Sequence, residues 1–297
     1  MAFFYDPSID RKSEIIDNSL TTSGEAIPIP SVIDLSPSGT CNRSCAFCPR
    51  SNPNFENIKQ FIEPKLLDKL SSQLGAVGFS GIFLFSGFAE PLLDKQIFGK
   101  IKLVKDNLPN GRVEMVTNGD VLNLNTIDKL FGHGLDTLLI SAYDDKEQSD
   151  HFKELCRSAG LKDNQWVVRD RFLSPDRNFG ITLTNRAGLM TDAEFVINSP
   201  KEPLNQPCYY PHYTFFMDYE GDVLLCPHDW GKKKIVGNMY KQDFQDIWLC
   251  DDYMEARKML AKGNRFFSPC NLCDAEGVLM GGKHVEAWEK FEKTRET

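Results

Sequence analysis

Between Val32 and Val168 short apolar runs alternate with amphipathic stretches, and this alternation restricts the chain to folds built on a parallel sheet. Residues 32–35, 82–85, 113–116, 137–140 and 166–168 read as buried strands. Residues 65–73, 96–107, 125–131 and 146–158 carry helical spacing between them. Parallel strands joined by helical crossovers place the helices outside the sheet. With a sixth unit at 181–184, the expected architecture is α/β, a partial (β/α)6 barrel. In such a barrel reactive groups collect where the strands end.

The pattern changes near Ala193. Residues 213–217 and 222–225 flank Asp218-Tyr219-Glu220-Gly221, a β-hairpin signal in which Gly221 takes up a positive φ without steric cost. Residues 243–261 read as one helix, a loop with Cys270 and Cys273 follows, and a last helix starts at Lys283. The expected organisation is an extended lead-in over 1–30, a barrel over 31–193, a small α+β cysteine-bearing domain over 194–285 and a helical tail over 286–297.

The net charge of −8 opposes a broad nucleic-acid surface, which needs basic groups. The N-terminus has no basic start followed by an apolar run, so it does not read as a secretory signal. The longest uncharged stretch, 70–89, is interrupted by serines and glycines and reads as a strand with loops, not a membrane span. A cytoplasmic protein is expected.

In a reducing cytosol clustered cysteines bind metal or carry redox chemistry. Of the nine cysteines, Cys41, Cys45 and Cys48 lie just after the first strand. Three thiolates can hold three irons of a cubane cluster and leave the fourth iron open to a chelating ligand. A three-cysteine zinc site needs a fourth ligand, and no histidine precedes His133. Cys208, Cys226, Cys270 and Cys273 form a second set, which can saturate either a [4Fe–4S] cluster or a tetrahedral zinc. His228 is a possible substitute ligand there.

Three cysteines with three and then two intervening residues, and Phe47 before the third, resemble the radical S-adenosylmethionine (SAM) superfamily. The resemblance extends to Ser86-Gly87 and Glu90 at the second strand end, Asn118 at the third, Ser141 at the fourth and Arg169 at the fifth. It implies that Phe47, Ser86, Gly87, Glu90, Asn118, Ser141 and Arg169 contact SAM. Residues 219–226, Gly237-Asn238 and Ile247-Trp248 are similar to the SPASM module in its shortened, twitch form, which implies an auxiliary [4Fe–4S] cluster on the second cysteine set.

The family's chemistry is reductive cleavage of SAM to a 5′-deoxyadenosyl radical that abstracts hydrogen from substrate. A flavodoxin- or ferredoxin-type electron donor is implied. The cysteine spacing is closest to that of aminocyclitol dehydrogenases of this superfamily, which implies oxidation of a secondary alcohol in a carbohydrate-like small molecule. Arg186, Tyr143 and Asp144 are the residues expected at the hydroxyl. Other readings are peptide modification, epimerisation with Cys156 or Cys250 returning hydrogen, and a non-catalytic metal-binding protein.

Overall fold

The computed structural model describes residues 6, 8–24, 26–190 and 200–295. Its main sheet has eight strands: β1 (Val32–Leu35), β2 (Ile82–Phe85), β3 (Arg112–Thr117), β4 (Thr137–Ala142), β5 (Trp166–Asp170), β6 (Thr214–Met217), β7 (Asp222–Leu224) and β8 (Ile235–Asn238). They lie in the order β8-β7-β6-β1-β2-β3-β4-β5. β1 to β5 are parallel, and α2 (Pro64–Ala76), α3 (Ile97–Asn107), α4 (Leu124–Gly132) and α5 (Lys146–Ser158) form the crossovers.

Alternate residues of these strands face opposite sides. One face carries Ile33, Leu35, Phe83, Phe85, Val113, Met115, Leu138 and Ile140 into a single apolar core with Leu66, Leu70, Ile101, Val104, Ile127 and Leu130 of the helices. Burying each such side chain is worth about 1.5–3 kcal/mol, so this face holds the barrel wall together. Local signals set the helix starts. Pro64 opens α2 after an extended Glu63, and the side chains of Asn123 and Asp145 accept from Thr126 N and Gln148 N to cap α4 and α5.

The opposite, inner face is partly polar: Asp34 pairs in register with Leu84 and Leu84 with Glu114, while Ser141 stands beside Arg169. A helix absent from the sequence reading, α1 (Ile9–Asn18), packs on this face. Its Ile15 joins Ile82, Leu84 and Leu139, and its Arg11 donates to Glu114 at 2.5 and 3.1 Å. The expected extended lead-in is therefore corrected. The helix escaped notice because it faces a half-polar lining and carries few apolar residues.

The sixth unit also differs. Residues 181–184 are irregular, and the sixth parallel strand is β6, which pairs with β1 on the side away from β2. The cause lies at Gly180, with φ +72, where an added Cβ would sit 1.9 Å from the Asp170 carbonyl. The chain doubles back tightly against the end of β5 and cannot start a new strand beside it. The expected hairpin is present as β6–β7, but it continues the barrel sheet, so the small domain and the barrel share one sheet. The boundary expected at Ala193 lies outside the described residues.

The helix expected over 243–261 is broken into α6 (Phe244–Trp248) and α7 (Asp251–Ala261) by an extended Cys250, with φ −62 and ψ 151. Asp251 and Asp252 favour a new helix start there. The break lets Trp248 and Tyr253, together with Trp288 of α8 (Gly282–Arg295), enclose Arg257 at 3.9, 4.2 and 4.0 Å. Among the described residues no helix is long and apolar enough to cross a membrane.

Trp248 is fully buried, donates to the Pro28 carbonyl and touches Phe215, Phe244, Tyr253 and Trp288. Trp248→Ala is expected to remove about 3–5 kcal/mol of stability, read from chemical denaturation; a loss below about 1 kcal/mol would contradict this packing role.

Candidate functional site

The loop after β1 carries Cys41, Cys45 and Cys48, all half-buried. Two arginines hold it, one at each end. Arg50 donates to the carbonyls of Phe88 and Gly39 at 2.9 Å, and Asn57 accepts from both Arg50 and Cys41 N. Arg43 forks between Asp120 and Asp144, which ties the loop to the ends of β3 and β4. These contacts fix the backbone that presents the three sulfurs.

The strand ends close around this loop. Ser86 donates to Asp34 at 2.6 Å, on the inner face of β1. Gly87 has φ +67, and a Cβ there would fall 2.6 Å from that of Ser36, so only glycine lets this turn pack on β1. The Glu90 carboxylate is buried and accepts from Thr117 Oγ1 at 2.7 Å, Asn118 N at 2.7 Å and Leu92 N at 3.0 Å. It pins the β2 end to the β3 end. Asn118 Nδ2 donates to Asn42 Oδ1 within the cysteine loop. Arg169 donates to Ser141 Oγ at 2.8 Å, and its buried Nε has no partner among the described residues. Burial, followed by repulsion from Arg171, holds its guanidinium down to about 10.

These groups surround two joined cavities. One, of about 170 Å3, lies beneath the three cysteines and is lined by Gly87, Glu90, Asn118 and Trp230. The other, of about 340 Å3, fills the barrel interior between α1, the inner faces of β2 to β5 and residues near Gly277. Phe47, Val116, Tyr143 and Arg186 line both. Phe47 and Tyr143 stack with ring centres 6.0 Å apart, and burial raises the Tyr143 hydroxyl to about 12, so it stays protonated. Arg186 has its guanidinium 5.8 Å from the Trp230 ring, and its Nε is buried without a partner among the described residues.

Asp144 is placed differently from expectation. Its carboxylate is half-exposed and bonded to Arg43 and Gln148, it lines neither joined cavity, and the Arg43 hydrogen bonds hold it below the usual carboxylate range. It positions the cysteine loop. Sequence reasoning missed Asp34, Arg50, Trp230 and α1; of these, only Asp34 left a signal, as the one charged residue in an apolar strand.

The second cysteine set is brought together as expected. Cys208, Cys226, Cys270 and Cys273 are all buried and line one small cavity with Tyr210, His228 and Arg265. A tetrahedral zinc with bonds of about 2.3 Å needs sulfurs about 3.8 Å apart. Among the described residues no three cysteine sulfurs lie within 4.8 Å of one another. His228 bonds Thr184 Oγ1 through Nδ1 at 3.2 Å and lines both this cavity and the barrel cavity. Its pKa is lowered to about 3 by burial, followed by the charge of Arg186, which keeps the ring neutral. A separate cluster of Asp218, Glu220 and Asp222 converges on the single ammonium of Lys232.

Before metal is loaded, burial raises every thiol of both sets, Cys45 to about 12 and Cys273 to about 11. The thiols are therefore protonated at neutral pH and must release protons to bind iron. Cluster assembly from iron and sulfide is expected to accelerate steeply between about pH 7 and 9, followed by absorbance. A flat profile would show that thiol ionisation does not control loading.

Comparison with known proteins agrees with this geometry. The radical SAM superfamily pattern matches residues 35–169, and SPASM, an iron–sulfur cluster-binding domain, matches residues 208–274. The chain is similar to the S-adenosyl-L-methionine-dependent 2-deoxy-scyllo-inosamine dehydrogenase of Niallia circulans, 27% identical over 257 residues that span 84% of this chain and 94% of that protein. The crystal structure of BtrN in complex with AdoMet and 2-DOIA superposes with a TM-score of 0.69 at 26% identity, covering 84% of this chain and 94% of that one. Streptococcus suis SuiB bound to precursor peptide SuiA shares the fold, with a TM-score of 0.55 at 15% identity over 84% of this chain and 72% of that one. The chain carries a radical SAM domain followed by a SPASM domain, which together imply an enzyme that uses SAM and [4Fe–4S] clusters.

Proposed function

We propose that the protein is a dehydrogenase that oxidises a secondary alcohol in a polar, sugar- or cyclitol-like small molecule. The observation that carries this reading is the place of the barrel cavity between the two cysteine sets. Arg186 lines it together with the Cys41–Cys48 side, and His228 lines it together with the second nest. A substrate there would share lining residues with both cysteine sites. Similarity to an aminocyclitol dehydrogenase supports the same class of reaction.

Cys41, Cys45 and Cys48 are the residues that would hold the SAM-binding cluster, and Cys208, Cys226, Cys270 and Cys273 the auxiliary one. The first cluster together with SAM would supply a carbon-centred radical for hydrogen abstraction, and the second a one-electron acceptor. Phe47, Gly87 and the strand-end residues Asn118 and Ser141 shape the SAM side of the cavity, and Arg169 Nε, which has no partner among the described residues, would meet the SAM carboxylate. Ser86 and Glu90 hold that wall in place through Asp34 and the β3 end.

Oxidation of a secondary alcohol to a ketone removes one hydrogen atom, one proton and one electron. With SAM and both clusters bound, the hydrogen atom would be taken up on the SAM side, the group held by Cys208, Cys226, Cys270 and Cys273 would supply the one-electron acceptor, and the proton leaves the hydroxyl. A guanidinium keeps its proton in proteins, so the role of Arg186 is to donate hydrogen bonds to the oxygen as negative charge develops. Neutral His228 offers Nε2, buried and unpartnered among the described residues, for the hydroxyl. Tyr143 remains a hydrogen-bond donor on the cavity wall.

Epimerisation needs a cysteine to return hydrogen. Cys156 is buried on the outer side with α5, and Cys250 packs near Val236, so neither lines either joined cavity. The partly enclosed barrel cavity, about 340 Å3, suits a small molecule better than a peptide.

The reconstituted enzyme, given reductant, SAM and a panel of cyclitols and sugars, is expected to yield product lighter by two hydrogens with one 5′-deoxyadenosine per turnover. Unchanged mass with solvent deuterium incorporated would overturn the assignment in favour of epimerisation. The combined change Cys41→Ala, Cys45→Ala and Cys48→Ala should abolish SAM cleavage; retained cleavage would contradict the ligand roles. Arg186→Gln is expected to slow product formation by about 10²–10³-fold while SAM still binds, measured by product yield and SAM affinity.

A further inference from the structure

Arg265 is a buried cation without a counter-ion among the described residues. It is 1% exposed, and no carboxylate lies within ion-pair distance among the described residues. Its donors are satisfied by four carbonyl oxygens: Gln206 at 2.9 Å, Ala275 at 2.7 Å, Pro207 at 2.8 Å and Glu276 at 3.0 Å. Carbonyl dipoles satisfy N–H groups, but they do not cancel a unit charge removed from water. A guanidinium kept in this state needs an anion nearby.

The available partner is the second cysteine nest. Gly277, with φ +79, leaves a gap between the two: a Cβ there would lie 2.7 Å from Cys208 Sγ and 2.9 Å from Arg265 Nη2. The charge of Arg265 also reaches Cys270 and Cys273. Asp229 and Asp274, the acids that act on those two cysteines, are held by backbone amides, Asp229 by Lys233 and Lys234 and Asp274 by Asn185. They add negative charge around the nest, which Arg265 opposes. A four-thiolate iron–sulfur group is anionic and becomes more so on reduction, so a fixed neighbouring cation favours the reduced form.

We infer that Arg265 tunes the auxiliary cluster, raising its reduction potential so that it can accept the electron released by the substrate. The inference rests on the proposed cluster assignment for Cys208, Cys226, Cys270 and Cys273, and it makes Arg265 a positioning residue whose charge, beyond its hydrogen bonds, has a function. The electron balance is that of the dehydrogenation: one electron leaves the substrate and one enters the cluster, which a flavodoxin- or ferredoxin-type acceptor later reoxidises.

The test uses the full chain with Cys41, Cys45 and Cys48 changed to Ala, so that only the auxiliary cluster assembles, and follows its potential by a redox titration monitored by electron paramagnetic resonance. Arg265→Met is expected to make reduction at least tenfold less favourable, a fall of about 59 mV for one electron. Arg265→Lys keeps the charge and should stay near the parent potential while losing thermal stability. Gln206→Glu provides a second route if Arg265→Met does not fold. Gln206 Nε2 and Arg265 Nη2 donate to the same Glu276 oxygen, so the new carboxylate lies beside an intact guanidinium and should also lower the potential. An intact cluster signal with the parent potential in both Arg265→Met and Gln206→Glu would overturn the role of Arg265. Failure of the parent to show any cluster signal would instead overturn the assignment of the nest itself.

Discussion

A half-open barrel wall with a partly polar inner face cannot be left bare, and the protein's architecture follows from how that face is covered. The outer face of β1 to β5 is closed by α2 to α5 through ordinary apolar packing. The inner face presents Asp34, Glu114, Ser141 and Arg169, groups that are costly to bury without partners. α1 supplies Arg11 to Glu114, and residues beyond β5 supply Arg171, which pairs with Asp6. What is left after those pairings is a cavity whose walls hold donors without partners among the described residues, notably the Nε groups of Arg169 and Arg186. The covering that stabilises the fold thus also defines the site.

The same economy of contacts explains why the cysteine loop is ordered by charge. It emerges where strands end, with no sheet partner of its own beyond a short pairing with residues 58–61. Arg43 and Arg50 replace the missing ladder by reaching to the ends of β2, β3 and β4. Glu90 performs the corresponding task one layer below, where its buried carboxylate joins β2 to β3. Ionised groups bonded to several donors resist displacement more strongly than neutral ones, which suits a rim that must keep three sulfurs in fixed relation.

Much of this was legible in the sequence because it is encoded locally. β1 and β2 begin and end where their apolar runs do, and α5 spans the expected 146–158. Both cysteine groups were visible as spacing, and their convergence in space agrees with it. The failures are non-local. The irregular course of residues 181–184 depends on Gly180 meeting the Asp170 carbonyl, and the join of β6 to β1 spans most of the barrel's length. α1 was invisible because its partners are polar residues a hundred positions away, such as Glu114. Asp144 looked like an active-site acid because it follows a strand end, yet Arg43, from another element, claims it.

The continuity of the sheet bears on electron transfer. β6 hydrogen-bonds to β1, the strand that leads into the first cysteine loop, and β6 and β7 lead into Cys226 and His228. The first cysteine loop and Cys226 of the second set are therefore carried by strands of one continuous sheet. Buried cations complete the arrangement: Arg257 is sheltered by aromatic faces, whereas Arg265 has no such enclosure and faces sulfur. Of two equally buried arginines, one has its charge absorbed by the core, and the other leaves its charge available to the site.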